Sequence, residues 1–136
     1  MRETRIIVAG SRNFTDAEYV RGKLDEIIGR IKKGNPDPGN IVIVSGCCRG
    51  VDAIGEEYAL DRGYGLARFP ADWARYGRGA GPIRNEDMAS FASQENGHLI
   101  AFWDGKSSGT RSMIALAGNR GLSVNIVNVS TRREPS

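Results

Sequence analysis

The chain is 136 residues long, with 40% hydrophobic and 26% charged residues, proportions that suit a single globular domain with its own core. It contains no run of about 18 apolar residues and no N-terminal signal pattern, so neither a membrane-spanning helix nor a membrane partner is expected and the expected location is cytoplasmic. A net charge of +3 favours anionic ligands, whereas two adjacent cysteines and one histidine, His98, supply neither a disulfide framework nor a metal set, and no cofactor is expected.

In chain order, residues 5–10 read as a strand, because Ile6-Ile7-Val8-Ala9 is apolar on both faces, as in a central parallel strand. The loop Gly10-Ser11-Arg12-Asn13-Phe14 follows, then a capping-box pattern with Thr15 as N-cap and Glu18 three residues later. The helix it opens carries Tyr19, Val20, Leu24, Ile27, Ile28 and Ile31 on one face and ends before Gly34 in a cluster of breakers. Residues 41–44 form the second strand, and a helix runs from Gly50 to about Arg62, stopped by Gly63. A short third strand is expected over 66–69, and an irregular, Arg- and Gly-rich stretch over 70–81. Pro82 suits the first position of a helix that continues to about Ala92. A fourth strand over 98–103, a helix over 109–120, and a last strand over 122–129 complete the pattern. Residues 1–129 thus read as one nucleotide-binding domain and 130–136 as a polar tail. The β-α alternation predicts an α/β fold: a Rossmann-like three-layer sandwich with a mostly parallel five-stranded sheet.

Two glycine-punctuated loops carry the functional signal: Ser45-Gly46-Cys47-Cys48-Arg49-Gly50-Val51-Asp52 and Asp104-Gly105-Lys106-Ser107-Ser108-Gly109-Thr110. Each lies between an apolar run and a helical pattern, where glycine permits close approach and a helix start offers N–H groups to an anion. In the first loop Ser45 and the amides after Gly46 would donate to phosphate, Gly46 and Gly50 would let the ligand approach, and Arg49 would neutralise charge. Asp52 fits either ribose recognition or a structural hold on the loop. In the second, Gly105, Ser107, Gly109 and Thr110 form an anion cradle with Lys106 as a point charge, in a pattern that is not a Walker A sequence. Gly10, Ser11 and Arg12 would close a third wall, and Arg84 and Asn85 would add polar contacts. Trp73, with Tyr76, Arg75 and Arg78 nearby, would stack on a base, either as a lid over a nucleotide or as part of a groove for single-stranded DNA. Phe14 and the cysteines read as packing residues, and the carboxylates Glu56, Glu57 and Asp61 as a solvated helix face.

These loops, with Val8-Ala9-Gly10-Ser11-Arg12, Phe69-Pro70-Ala71-Asp72-Trp73 and Ala80-Gly81-Pro82-Ile83-Arg84-Asn85, resemble the SLOG superfamily of Rossmann-like domains, and most of all its YspA-like branch, which is also common in phage genomes. The superfamily includes the LOG phosphoribohydrolases and the DNA-processing protein DprA, and the resemblance implies nucleotide-type ligands and admits a homo-oligomer. In LOG enzymes the second loop reads Gly-Gly-x-Gly-Thr-x-x-Glu and its glutamate assists N-glycosidic cleavage. Here Met113 stands in that place, although Arg84 matches the catalytic arginine of the LOG pattern. Loss of an acid/base carboxylate costs roughly 10²–10⁴-fold in rate, so binding with little intrinsic catalysis is expected. The alternatives are a LOG-like hydrolase, with Arg84 and either Glu86 or Asp104 as catalytic groups, and DprA-like binding of single-stranded DNA, for which Ser45–Asp52 matches a DprA stretch.

Overall fold

A computed structural model describes residues 2–35 and 37–130; from Thr131 onward the expected polar tail lies outside the described residues. Five strands, β1 (Glu3–Gly10), β2 (Asn40–Ser45), β3 (Gly65–Arg68), β4 (Asn96–Trp103) and β5 (Ser123–Asn128), form one sheet in the order β3-β2-β1-β4-β5. Every pairing is parallel, so the expected Rossmann-like sandwich is present with a wholly parallel sheet.

Alternation along the central strands builds two cores. Ile6 and Val8 of β1, with Ile100 and Phe102 of β4, meet Val20, Leu24, Ile28 and Tyr58 from α1 (Ala17–Gly34) and α2 (Val51–Arg62). Ile7 and Ala9, with Leu99 and Ala101, face Met88, Ala89 and Met113 from α4 (Ala80–Ser93) and α5 (Ser108–Asn119) on the other side. Burial on both faces is what selects continuous apolar runs over alternating ones in a parallel sheet.

Two local expectations change. Asp16, not Thr15, is the N-cap of α1, its carboxylate accepting the Tyr19 N–H at 3.1 Å. A carboxylate caps as well as a hydroxyl and also answers the positive helix end. The stretch expected to be irregular holds a short helix, α3 (Trp73–Tyr76), capped by Asp72 accepting from the Arg75 N–H, and a 3-10 turn over Gly77–Gly79. This turn leads directly into α4, so Pro82 is its third residue rather than its first. Any position in the first turn suits proline, since its missing N–H would have no helical acceptor. Among the described residues no helix is long and apolar enough to cross a membrane.

Candidate functional site

Chain order reverses at β1: β2 and β3 lie on one side of it and β4 and β5 on the other. The loops that leave the carboxyl ends of β1 and β4 therefore diverge, and open α/β sheets hold ligands in such a crevice. A cleft of about 650 Å³ occupies this place, within the range of small-molecule sites. Gly10 to Asn13 line one wall, and Asp104, Lys106, Ser107, Gly109 and Thr110 the opposite one. Gly81, Arg84, Asn85 and Met88 reach in from α4, with Asp52, Cys48 and Trp73 closing the rest.

The β2–α2 loop is held by buried polar groups. The Arg84 guanidinium donates through Nη1 to the Gly46 carbonyl and through Nε to Asn85 Oδ1 at 2.9 Å. Asp52 accepts the Cys48 N–H at 3.2 Å. Gly46 passes between them: a Cβ there would stand 2.9 Å from Arg84 Nη1 and 3.0 Å from Asp52 Oδ2. Gly50, at φ +75°, presses against the β1–α1 loop, where a Cβ would come within 2.4 Å of the Ser11 carbonyl oxygen and 2.6 Å of that of Arg12. The Val51 N–H donates to the same Ser11 oxygen at 3.3 Å. Gly10 is equally confined, with the Phe102 oxygen 2.6 Å from the place of its Cβ. The β1–α1 and β2–α2 loops are packed on one another, and it is neighbouring backbone and side chains that require glycine at these positions.

Burial pushes the Asp52 carboxyl up to about 6, against the lowering pull of the Cys48 N–H and the Arg84 guanidinium. A carboxyl raised above its unfolded value of 3.8 stabilises the fold while protonated; that contribution is full below about pH 4 and is lost as pH rises through about 6. A rise from 3.8 to about 6 corresponds to about 3 kcal/mol. We therefore expect the stability difference between Asp52→Asn and wild type to move in favour of the variant by about that amount between pH 4 and pH 7, as followed by thermal unfolding. A difference that does not vary with pH would mean that burial does not set the titration of this carboxyl. His98 has the opposite sign. Burial lowers its pKa and neither ring nitrogen finds a partner among the described residues, so its contribution is present above about pH 6.5 and is lost on acidification.

In the β4–α5 loop the Asp104 carboxylate accepts the N–H groups of Ser107 and Lys106, each at 2.8 Å, which hold its carboxyl below the usual range. Those two amides are satisfied internally. Among the cleft-lining residues, those of the first turn of α5 carry amides without a helical acceptor, and Lys106 is exposed. Trp103 braces the loop by donating from Nε1 to the Ser107 carbonyl at 3.1 Å.

Of the residues singled out from sequence, Gly10, Ser11, Arg12, Asp52, Trp73, Arg84, Asn85, Asp104, Lys106, Ser107, Gly109 and Thr110 line this cleft. Gly46 and Arg49 line an adjoining pocket of about 410 Å³. Gly105 sits in the second loop at φ +82°, with open space where a Cβ would be. Ser45 and Gly50 are not brought to the cleft. Ser45 is buried, donating its hydroxyl to Glu56 at 2.6 Å and accepting the Cys47 N–H at 3.1 Å. Glu86 does not line the cleft either: it pairs with Arg120 at the end of α5. Glu56 departs from the solvated-face expectation, since it bridges Ser45 and Arg68. Its spacing of four from Asp52 places both carboxylates on one helix face, a signal the sequence contained. Cys48, Asn13, Met88 and Met113, which carry no ligand-binding signal in the sequence, also stand in the cleft wall. Met88, four residues after Arg84, follows from the same helical spacing.

The sequence model of the YspA, cpYpsA-related SLOG family matches residues 4–76, from β1 through α3. The "Gene 61 protein" of Mycobacterium phage D29 is 31% identical over 125 residues, covering 88% of this chain and 93% of the phage protein. Among solved structures, DNA processing protein A (DprA) from Streptococcus pneumoniae superposes with a TM-score of 0.61 at 18% identity, over 99% of this chain. The match spans 63% of the DprA chain, and at that identity it is a likeness of fold.

Proposed function

Since the chain belongs to the YspA, cpYpsA-related SLOG family, we propose that its cleft binds a nucleotide or nucleotide-derived ligand, as a sensor or sequestering module with little intrinsic catalysis. Lys106, Arg12 and the first turn of α5 receive the phosphate, and Trp73, 51% exposed at the cleft margin, stacks on the base. The observation that carries this reading is the position of the cleft: a nucleotide-sized crevice at the switch point of a parallel sheet, with cations on both lips. Residues 1–129 act as one binding domain. The fold shared with a DNA-processing protein supports nucleotide chemistry in general.

Thermal-shift titration with AMP, ADP and cyclic mononucleotides tests it. A ligand at 100-fold over its Kd adds about 2.7 kcal/mol to stability, and recovery of the nucleotide intact supports binding without turnover. Lys106→Ala removes one charge-assisted contact and is expected to weaken AMP by roughly ten- to a hundredfold. If no nucleotide raises the unfolding temperature, the reading fails.

One observation favours an enzymatic second reading. Asp52 is a cleft carboxylate with a raised pKa beside a buried arginine, the combination that marks acid/base groups. Release of free base from a nucleoside monophosphate, abolished in Asp52→Asn, would replace the sensor with a hydrolase.

A further inference from the structure

We infer that the ligand is not a single nucleotide but two nucleotide units joined through phosphate, one in the main cleft and one in the adjoining pocket, with Trp73 between them; this rests on the nucleotide reading above. The two spaces, of about 650 and about 410 Å³, share Arg12, Cys48, Trp73 and Arg84 as lining residues. Sharing these four residues, the two spaces adjoin each other.

Their electrostatics differ. The main cleft sets Arg12, Arg84 and Lys106 against two carboxylates, Asp52 and Asp104. The smaller pocket is lined by Arg12, Arg49 and Arg84, and no carboxylate among the described residues lines it. Arg84 is 9% exposed and fixed by the Gly46 carbonyl and Asn85, so its charge stays in place without a ligand. Arg12 forms no salt bridge among the described residues. Arg49 is exposed, and its guanidinium donates to the Asn13 amide oxygen at 3.3 Å. Arg84 also faces Asp52 on the cleft side, so Arg12 and Arg49 are the two guanidinium groups without a carboxylate, and such groups suit a phosphate, which accepts their paired N–H donors. Arg12 and Arg84 border both spaces, where the linking phosphate would lie, and the half-exposed indole offers a face to a base on its flank. A mononucleotide occupies the main cleft and leaves the arginine-lined pocket without an anion.

Calorimetric titration of the full chain with AMP, with the linear dinucleotide pApA and with a single-stranded oligodeoxyadenylate tests the inference. One added charge-assisted phosphate contact corresponds to about tenfold or more in affinity, so pApA is expected to bind at least that much more tightly than AMP. Arg49 lines the second pocket and not the first, so Arg49→Ala is expected to bring the ratio of pApA to AMP affinity close to one while its unfolding temperature stays that of wild type. Equal affinities for AMP and pApA overturn the second subsite and leave the mononucleotide reading standing. A pApA advantage that survives Arg49→Ala overturns the assignment of this pocket. Failure of all three probes removes the underlying reading as well. Where pApA holds its advantage, an oligodeoxyadenylate that binds more tightly still, with steep salt dependence, identifies a strand as the source of the linked units. An oligodeoxyadenylate no tighter than pApA identifies a free dinucleotide.

Discussion

Gly50→Ala is expected to destabilise the protein by about 3 kcal/mol or more, through two costs that a second glycine separates. Gly50 has φ +75° and Gly105 has φ +82°, so alanine at either position takes up a positive-φ penalty, at least as large at Gly50, whose ψ of −128° lies outside the left-handed helical region. Only at Gly50 does the new methyl group meet backbone, at 2.4 Å from one carbonyl oxygen and 2.6 Å from another, whereas the space beside Gly105 is open. Gly105→Ala is therefore expected to cost about 1 kcal/mol, the conformational part alone. Backbone carbonyls cannot swing aside as a flexible side chain does, so the Gly50 methyl must part the β1–α1 and β2–α2 loops. Urea titration of the two variants gives the comparison. Equal losses would mean that the loops yield easily and do not form a packed unit. Since Arg12 stands on one of the two loops, Gly50→Ala is also expected to weaken any ligand held by that residue.

This contrast also explains how far the site was legible in the sequence. The positions of the two glycine loops follow from their neighbours: an apolar run before each and a helical pattern after. From sequence the glycines have a ligand-facing reason, close approach to phosphate. The structure gives Gly10, Gly46 and Gly50 a protein-facing one, and the atoms that require it, Phe102 O, Arg84 Nη1 and Ser11 O, are far away in the chain. A glycine announces a close approach without naming what approaches. Ser45 likewise has a partner that sequence does not announce, since Glu56 is on the following helix and no local pattern pairs them. The strands were read well because burial on both faces leaves a local mark, a continuous apolar run. The short helix at Trp73–Tyr76 escaped because four residues are too few to show a period; only Asp72, a good N-cap, hinted at it. Glu86 is placed by helical spacing. Two residues after Arg84 on a helix is a turn of about 200°, which carries its carboxylate away from the cleft to Arg120.

Arg84→Ala is the substitution expected to affect both stability and binding most. Its guanidinium joins α4 to the β2–α2 loop across 38 positions of sequence, and its charge draws the Asp52 carboxyl down against the effect of burial. Truncation leaves the buried Gly46 carbonyl and the Asn85 side chain without this donor, at about 1–3 kcal/mol for each unsatisfied group. It also leaves the Asp52 charge without compensation, a change that is strongly destabilising in buried settings. A total near 4 kcal/mol is expected in denaturant unfolding at pH 7, falling toward pH 4, where a protonated Asp52 no longer needs a cation. Arg84→Lys separates charge from geometry. An ammonium keeps the positive charge but not the planar fork that reaches Gly46 and Asn85 together, so it is expected to restore the pH dependence while recovering less than half of the lost stability. Nucleotide affinity is expected to fall by about a hundredfold or more in the alanine variant, since a fixed cation and the loop it positions are lost together. An Arg84→Ala protein that unfolds like wild type and binds AMP normally would place the organising contact of the cleft elsewhere. Full recovery of both properties by lysine would show that charge alone suffices at this position.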